Sequence, residues 1–306
     1  MLKRVIGWLR EFWELIKKTF VQWNEREPFN NSIIIAYYTI FSLPGLLVII
    51  INMAGSFYDK QDVTSQISYQ IESMMGGDTA KDIESIVGKA SEARGSVLAS
   101  VLGIATLLFG ATGVFYQLQQ MLNKIWNVKP KVKTAQKILE LLRDRLFSFG
   151  LILVVGFLML VSLVISTALS ALSTWVSVYI SESINLLFKL LDILFSVAVI
   201  TILFAAIFKF LPDAKIKWCD VWSGAILTAV LFVLAKFALG LYFGKSDPGS
   251  TYGAAGSIIL IMLWVSYTGL ILLFGAEFTN VHINRKGEKV KPTSVAVKAG
   301  KMSVHT

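Results

Sequence analysis

One cysteine, Cys219, and two histidines, His282 and His305, are the only thiol and imidazole groups in 306 residues. A lone thiol cannot close an internal disulfide, and this one falls in a loop expected on the reducing side of a membrane. Both histidines lie at or beyond the end of the last apolar run, so the body of the chain holds no HExxH, no Ser-His-Asp set and no His/Cys/Asp group at metal spacing. The GxxxxGK[ST] phosphate loop is missing as well. These gaps argue against a metal-dependent nuclease and a self-contained ATPase, and lead to the expectation of no enzyme, no cofactor and no metal. Charge is scarce too: Asp, Glu, Lys and Arg make up 16% of the chain and apolar residues 55%. The mean hydropathy of +0.65 is too high for a soluble domain. Acids are the rarer sign, 20 against 29 bases, for a net charge of +9. Such a balance can signal nucleic acid, but a polytopic protein gathers Lys and Arg on its cytoplasmic side for topological reasons alone, so no specific nucleic-acid partner is expected.

What the sequence has in quantity is apolar helix. Residues 2–23 place Leu2, Val5, Ile6, Leu9, Phe12, Trp13, Ile16, Phe20 and Trp23 on one face, with Lys3, Arg4, Arg10, Lys17 and Lys18 on the other. Charges interrupt the run too often for a signal peptide, so residues 1–30 are read as an amphipathic helix on an anionic cytoplasmic leaflet. Apolar runs then predict six spans, near residues 33–57, 97–116, 146–172, 184–210, 221–243 and 254–280. Between the first two, residues 58–96 carry seven acids against four bases. Their two amphipathic stripes, Val63, Ile67, Ile71 and Met74, then Ile83, Ile86, Val87 and Ala90, are separated by Gly76-Gly77-Asp78. Two short extracytoplasmic helices are expected there. Most of the Lys and Arg fall before the first span, between the second and third, between the fourth and fifth, and after the sixth, which places both termini in the cytoplasm. The tail, residues 281–306, is basic without apolar periodicity and is expected to be disordered. The fold class is thus an all-α membrane protein, with residues 31–280 as its transmembrane domain.

Candidate functional residues come from polarity inside the spans. In the second, Thr106, Gly110, Gly113, Gln117, Gln120, Lys124 and Asn127 share one helix face, with Thr112 and Asn123 beside it. Close helix packing explains such a face, and a polar lining for a conduit explains it too. In the first span Pro44 cannot donate to the carbonyl of Ile40 and crowds that turn, near Tyr37, Tyr38, Thr39 and Ser42. Either a kink or a broken helix offering carbonyls to a substrate follows. Among ionisable groups, Lys189 and Asp192 are spaced to pair on one helix face and Lys236 lies near enough to its helix end to snorkel. Glu277 lies about a turn from the inner end of the sixth span, where bases such as Arg145 and Lys209 are expected beside it. It reads equally as a tether or as a substrate-contacting carboxylate. Gly240 and Gly244 give a GxxxG spacing, and LLFGA occurs at both 107–111 and 272–276.

The stretch LLFGATGVFYQLQQMLNKIWNVKP resembles the best-kept segment of the YihY/BrkB family of bacterial membrane proteins, once labelled ribonuclease BN. AYYTIFSLPG at Ala36 to Gly45, FKFLPDAKIKWCDVWSGA at Phe208 to Ala225, LYFGKS, YGAAGSIILIMLWVSY ending at Tyr267, and LLFGAEFT at Leu272 to Thr279 follow the family's order. The resemblance covers about Ile33 to Thr279. It implies a bacterial inner-membrane protein of a mostly uncharacterised family, associated with resistance to host serum and, in one branch, with a suspected role in exporting a lipid precursor. It also implies that the nuclease label is a misassignment. Sequence and resemblance together lead to the expectation of a transporter or exporter of an amphipathic or anionic small molecule, a lipid among the candidates. A non-transporting scaffold for envelope assembly is the alternative. The expected partners are the bilayer, the substrate and further copies of the chain.

Overall fold

A computed structural model describes residues 2–54, 60–75, 97–131, 182–246, 255–293 and 296–299, with a few isolated positions between 77 and 85. Seven long helices carry the described chain: α1 (Leu2–Asn24), α2 (Pro28–Ala54), α3 (Lys60–Met75), α4 (Val97–Ile125), α5 (Glu182–Phe210), α6 (Trp218–Ser246) and α7 (Gly256–Arg285). Four short strands, β1 (Val128–Pro130), β2 (Ala214–Lys215), β3 (Lys291–Pro292) and β4 (Ala296–Lys298), follow the helix ends. The expected span at 146–172, the bases from Lys133 to Arg145 and the stripe from Ile86 to Ala90 lie outside the described residues.

Three of these helices contain stretches long and apolar enough to cross a membrane: Ile193–Phe210, Trp218–Tyr242 and Gly256–Arg285. Their outer faces show why lipid is needed. Leu194 and Ile202 on α5 and Ile226, Leu234, Phe237 and Leu241 on α6 are exposed, a density of outward apolar side chains that water does not tolerate. Aromatic Phe210, Trp218 and Trp222, also exposed, cluster where α5 ends and α6 begins, the level at which amphipathic rings sit in a bilayer interface.

The main core lies toward that same end, where Leu122 and Trp126 meet Phe204, Phe208, Val221, Leu272 and Ala276. Small residues set the helix spacing. A Cβ on Gly110 would stand 2.6 Å from Ser42 N and one on Gly113 would overlap the Tyr38 ring, so α4 approaches α2 at backbone distance along these glycines. The α6–α7 crossing is built from one motif used twice, GAILT at Gly224–Thr228 and GAEFT at Gly275–Thr279. A Cβ on Gly224 would overlap Thr279 Oγ1, and a Cβ on Gly275 would overlap Thr228 Oγ1. Each threonine donates back to the glycine carbonyl four residues earlier, Thr228 to Gly224 at 2.6 Å and Thr279 to Gly275 at 2.9 Å. This reciprocal pair brings α6 and α7 together at backbone distance.

Two features depart from the sequence reading. Of the kink and the break offered for Pro44, the break is absent: α2 runs unbroken from Pro28 to Ala54. Thr39 and Ser42 instead bond the carbonyls of Ile35 (2.8 Å) and Thr39 (3.0 Å), in the local manner of hydroxyls on helices. The tail beyond Arg285 is ordered where it is described. β4 pairs antiparallel with β1, Val128 opposite Lys298, and β3 pairs antiparallel with β2, Lys215 opposite Lys291. Its order comes from backbone pairing with two distant loops, which no periodicity in the tail itself reveals.

At the far end, α3 lays Val63, Ile67 and Ile71 onto Leu47 and Ile261. The amphipathic α1 packs beside the last turns of α7, through Leu15 against Phe278 and Val281 and through the Glu11–Arg285 pair at 2.6 Å. Trp13 and Phe20, 65% and 55% exposed, face away from the bundle.

Candidate functional site: a buried ion pair at the ribbon end

The turn between α1 and α2 brings Arg26 to the foot of the bundle. Glu27 takes a left-handed conformation there, with φ 55°, and Pro28 occupies the first turn of α2, where its missing N–H costs nothing. Asn31 locks the turn by donating to the carbonyls of Arg26 and Glu27, both at 2.9 Å. Held in this way, the Arg26 guanidinium donates to the carbonyls of Lys124 (2.6 Å) and Ile125 (3.3 Å), the last residues of α4. A cation at a helix C-terminus satisfies orphan carbonyls and complements the helix dipole.

The same guanidinium faces Glu277 on α7. Arg26 Nε and Glu277 Oε2 stand 2.7 Å apart, with the carboxylate side chain 0% and the guanidinium 22% exposed. The contact is a close, charge-assisted ion pair. The other carboxylate oxygen accepts from Asn280 at 3.1 Å, and Asn284 donates to Asn280 at 3.2 Å, so a polar ladder descends α7 toward the ribbons. From α4, Gln117 donates to Asn31 at 3.3 Å. A small cavity with about 10 Å³ of room for a water centre adjoins the pair, close to the minimum for one water. Arg26, Asn31, Lys124 and Glu277 line it with Trp23, Met121 and Leu273.

The structure therefore joins Gln117 and Glu277 through Asn31, Arg26 and this cavity. Other expected residues serve elsewhere. Gly110, Gly113 and Ser42 belong to the α2–α4 contact. Tyr37 is half-exposed among rings, 5.1 Å from Phe41. Thr112 and Gln120 are half-buried on α4. Thr106 and Pro44 lie within α4 and α2, their side chains outside the described ones. Lys236 is on α6 about 24 Å along the helix from Asp220, so it does not join the pair. Lys209, expected beside Glu277, instead donates to Ile216 O and sits 5.5 Å over the Trp218 ring. Arg145 lies outside the described residues. No group of three or more His, Cys, Asp or Glu able to hold a metal occurs among the described residues.

Asn123 is a latch. Its amide donates to Asp213 Oδ2 and its carbonyl oxygen accepts from the Asp213 backbone N–H, both at 2.8 Å, which pins the α5–α6 loop to α4. Asn123→Leu should destabilise the purified chain by about 1–3 kcal/mol, because two partners lose their bonds at once. Asp213→Asn should cost less, since its backbone half of the latch survives. Thermal denaturation in detergent checks the order.

The family model described as virulence factor BrkB matches residues 19–299. The chain belongs to the virulence factor BrkB family. Among its relatives, a UPF0761 membrane protein of Saccharophagus degradans is 26% identical over 286 residues, 93% of this chain and 62% of the relative. One from Ralstonia nicotianae is 24% identical, covering 79% of this chain and 52% of the relative. Another, from Aeromonas salmonicida, is 25% identical and covers 85% of this chain and 84% of the relative. The chain thus spans about half to two thirds of the length of several curated BrkB relatives it matches. No solved structure matches it. The BrkB match takes in Arg26, Gln117, Glu277 and both ribbons.

Proposed function

We propose that this BrkB-family chain is a membrane transporter or exporter of an amphipathic or anionic small molecule, closed at the ribbon end by Arg26 and Glu277. The observation that carries the reading is the Arg26–Glu277 ion pair, its carboxylate fully buried among apolar helices. Taking two charges from water costs several kcal/mol each, and a hydrophobic pair of similar volume would often hold helices at least as well. Such a pair suits a contact that must open. An anion reaching Arg26 would compete with Glu277 for the guanidinium, and the cavity beside it carries both Lys124 and apolar walls, as an amphipathic substrate requires. In this reading six spans cross the bacterial inner membrane with both termini in the cytoplasm, α1 rests on the anionic leaflet, and the purified chain cleaves no RNA.

Proteoliposomes test it. Purified chain should accelerate dithionite bleaching of inner-leaflet fluorescent phosphatidylglycerol or release of trapped carboxyfluorescein, and Arg26→Ala with Glu277→Ala should change the rate. Neither probe moving faster than in protein-free vesicles would defeat the proposal. Single cysteines at Gly76 and Lys131 test topology, with impermeant thiol reagents expected to label only Gly76 in intact cells. One observation favours the scaffold reading instead: the ribbons expose Lys129, Lys215, Lys291 and Lys298 at one end of the bundle.

A further inference from the structure

The two ribbons form at one end of the bundle. Val128, Ala214, Ile216 and Ala296 are buried, the first three within the main core, while Lys129, Lys215, Lys291 and Lys298 are exposed. The register makes this arrangement costly. Lys215 stands directly opposite Lys291, and facing residues of an antiparallel pair project from the same side, with Cβ atoms about 5 Å apart. Like charges so placed weaken a strand pair, and no carboxylate is paired with either lysine among the described residues, although Lys217 nearby does hold Glu288 at 2.6 Å. Membrane topology asks only for bases somewhere near the span ends. It does not ask for two lysines face to face in a ribbon.

We propose that this ribbon surface docks an acidic protein segment. Charge complementarity selects an anion. The surface offers Val297 and Pro130 between its lysines and no aromatic ring at any strand position, the exposed Trp218 beyond β2 lying under Lys209, which favours a peptide over the stacked bases of single-stranded nucleic acid. Carboxylates of an extended acidic peptide can bridge the facing ammonium groups and relieve their repulsion. The inference is independent of the transport reading, because it concerns the ribbons and not the Arg26–Glu277 pair.

The test titrates the detergent-purified full chain, by fluorescence anisotropy at low salt, with a labelled oligoglutamate and a labelled oligouridylate of equal length. The glutamate peptide should bind the more tightly. Lys215→Gln with Lys291→Gln should weaken it roughly tenfold, whereas Lys18→Gln on α1 should not. The same double variant should unfold at the same or a higher temperature than the parent, because it removes an uncompensated repulsion. Lys215→Gln alone gives the same comparison should the double variant express poorly. No saturable peptide binding, equal or tighter oligouridylate binding, peptide binding indifferent to Lys215 and Lys291, or a lowered unfolding temperature would each overturn the proposal.

Discussion

Arg26→Gln should destabilise the folded chain by about 3 kcal/mol, at the low end of the range for removing one partner of a buried pair. The variant strands a carboxylate that is 0% exposed and strips two carbonyls at the end of α4 of a charged donor. Glu277→Gln should cost less, because its amide still accepts from Asn280 and the arginine keeps its carbonyl partners and 22% exposure. Combining the two substitutions separates the contributions. If the stranded charge dominates, the double variant should recover most of the loss from Arg26→Gln. If capping of α4 dominates, the double variant should remain as unstable as Arg26→Gln alone. Thermal unfolding in one detergent reads all three. A Glu277→Gln loss equal to that of Arg26→Gln would show that the asymmetry of burial does not govern this site.

Gly275→Ala should cost about 1–3 kcal/mol, the usual penalty for forcing extra atoms into a filled contact. The new methyl would meet Thr228 Oγ1, and that side chain is tied to the carbonyl of Gly224. Thr228→Ala should therefore recover most of the loss, since it removes the Oγ1 nearest the added carbon and leaves only the Cβ of residue 228, 2.9 Å away, for the helices to ease past. Gly224→Ala should be rescued only in part by Thr279→Ala, because the Gly275 carbonyl oxygen also stands 2.8 Å from the added carbon. Protease resistance of the purified variants, followed with temperature, distinguishes the two outcomes. Full rescue of both glycines would mean that α6 and α7 separate freely at this crossing.

Much of this arrangement is written locally in the chain. The periodicity of residues 2–23 gives α1, the apolar runs give the helices at 28–54, 97–125, 182–210, 218–246 and 256–285, and the Val63 stripe gives α3 its packed face. Glu277 and Gln117 stand out because polarity within an apolar run is expensive wherever it occurs. Their connection does not stand out. Arg26 sits in a hydrophilic segment, Glu25-Arg26-Glu27, where a base raises no energetic question until the chain turns at Glu27 and carries it under α4. The GAILT and GAEFT pair was readable as small residues at a spacing of four, yet only the crossing of two helices shows that each glycine receives the other's threonine. The ribbons were illegible for a different reason: a strand of two or three residues has no period, and its partner lies far away in sequence.

That separation bears on how the protein is made. Helices insert as they leave the ribosome, but β1 and β2 must wait for β3 and β4, which are translated only after α7. Until then the α4–β1 and α5–α6 connections are held by the Asn123–Asp213 bonds and by the packing of Val128, Ala214 and Ile216 in the main core. The backbone bonds from Thr293 to Asp213 and from Ala299 to Asn127 then close them from outside. The downstream segment acts as a late clasp on a bundle already in the bilayer. A nascent chain arrested before Lys291 should therefore present Lys129 and Lys215 without their strand partners, and should be cut more readily at these connections by added protease than the completed protein.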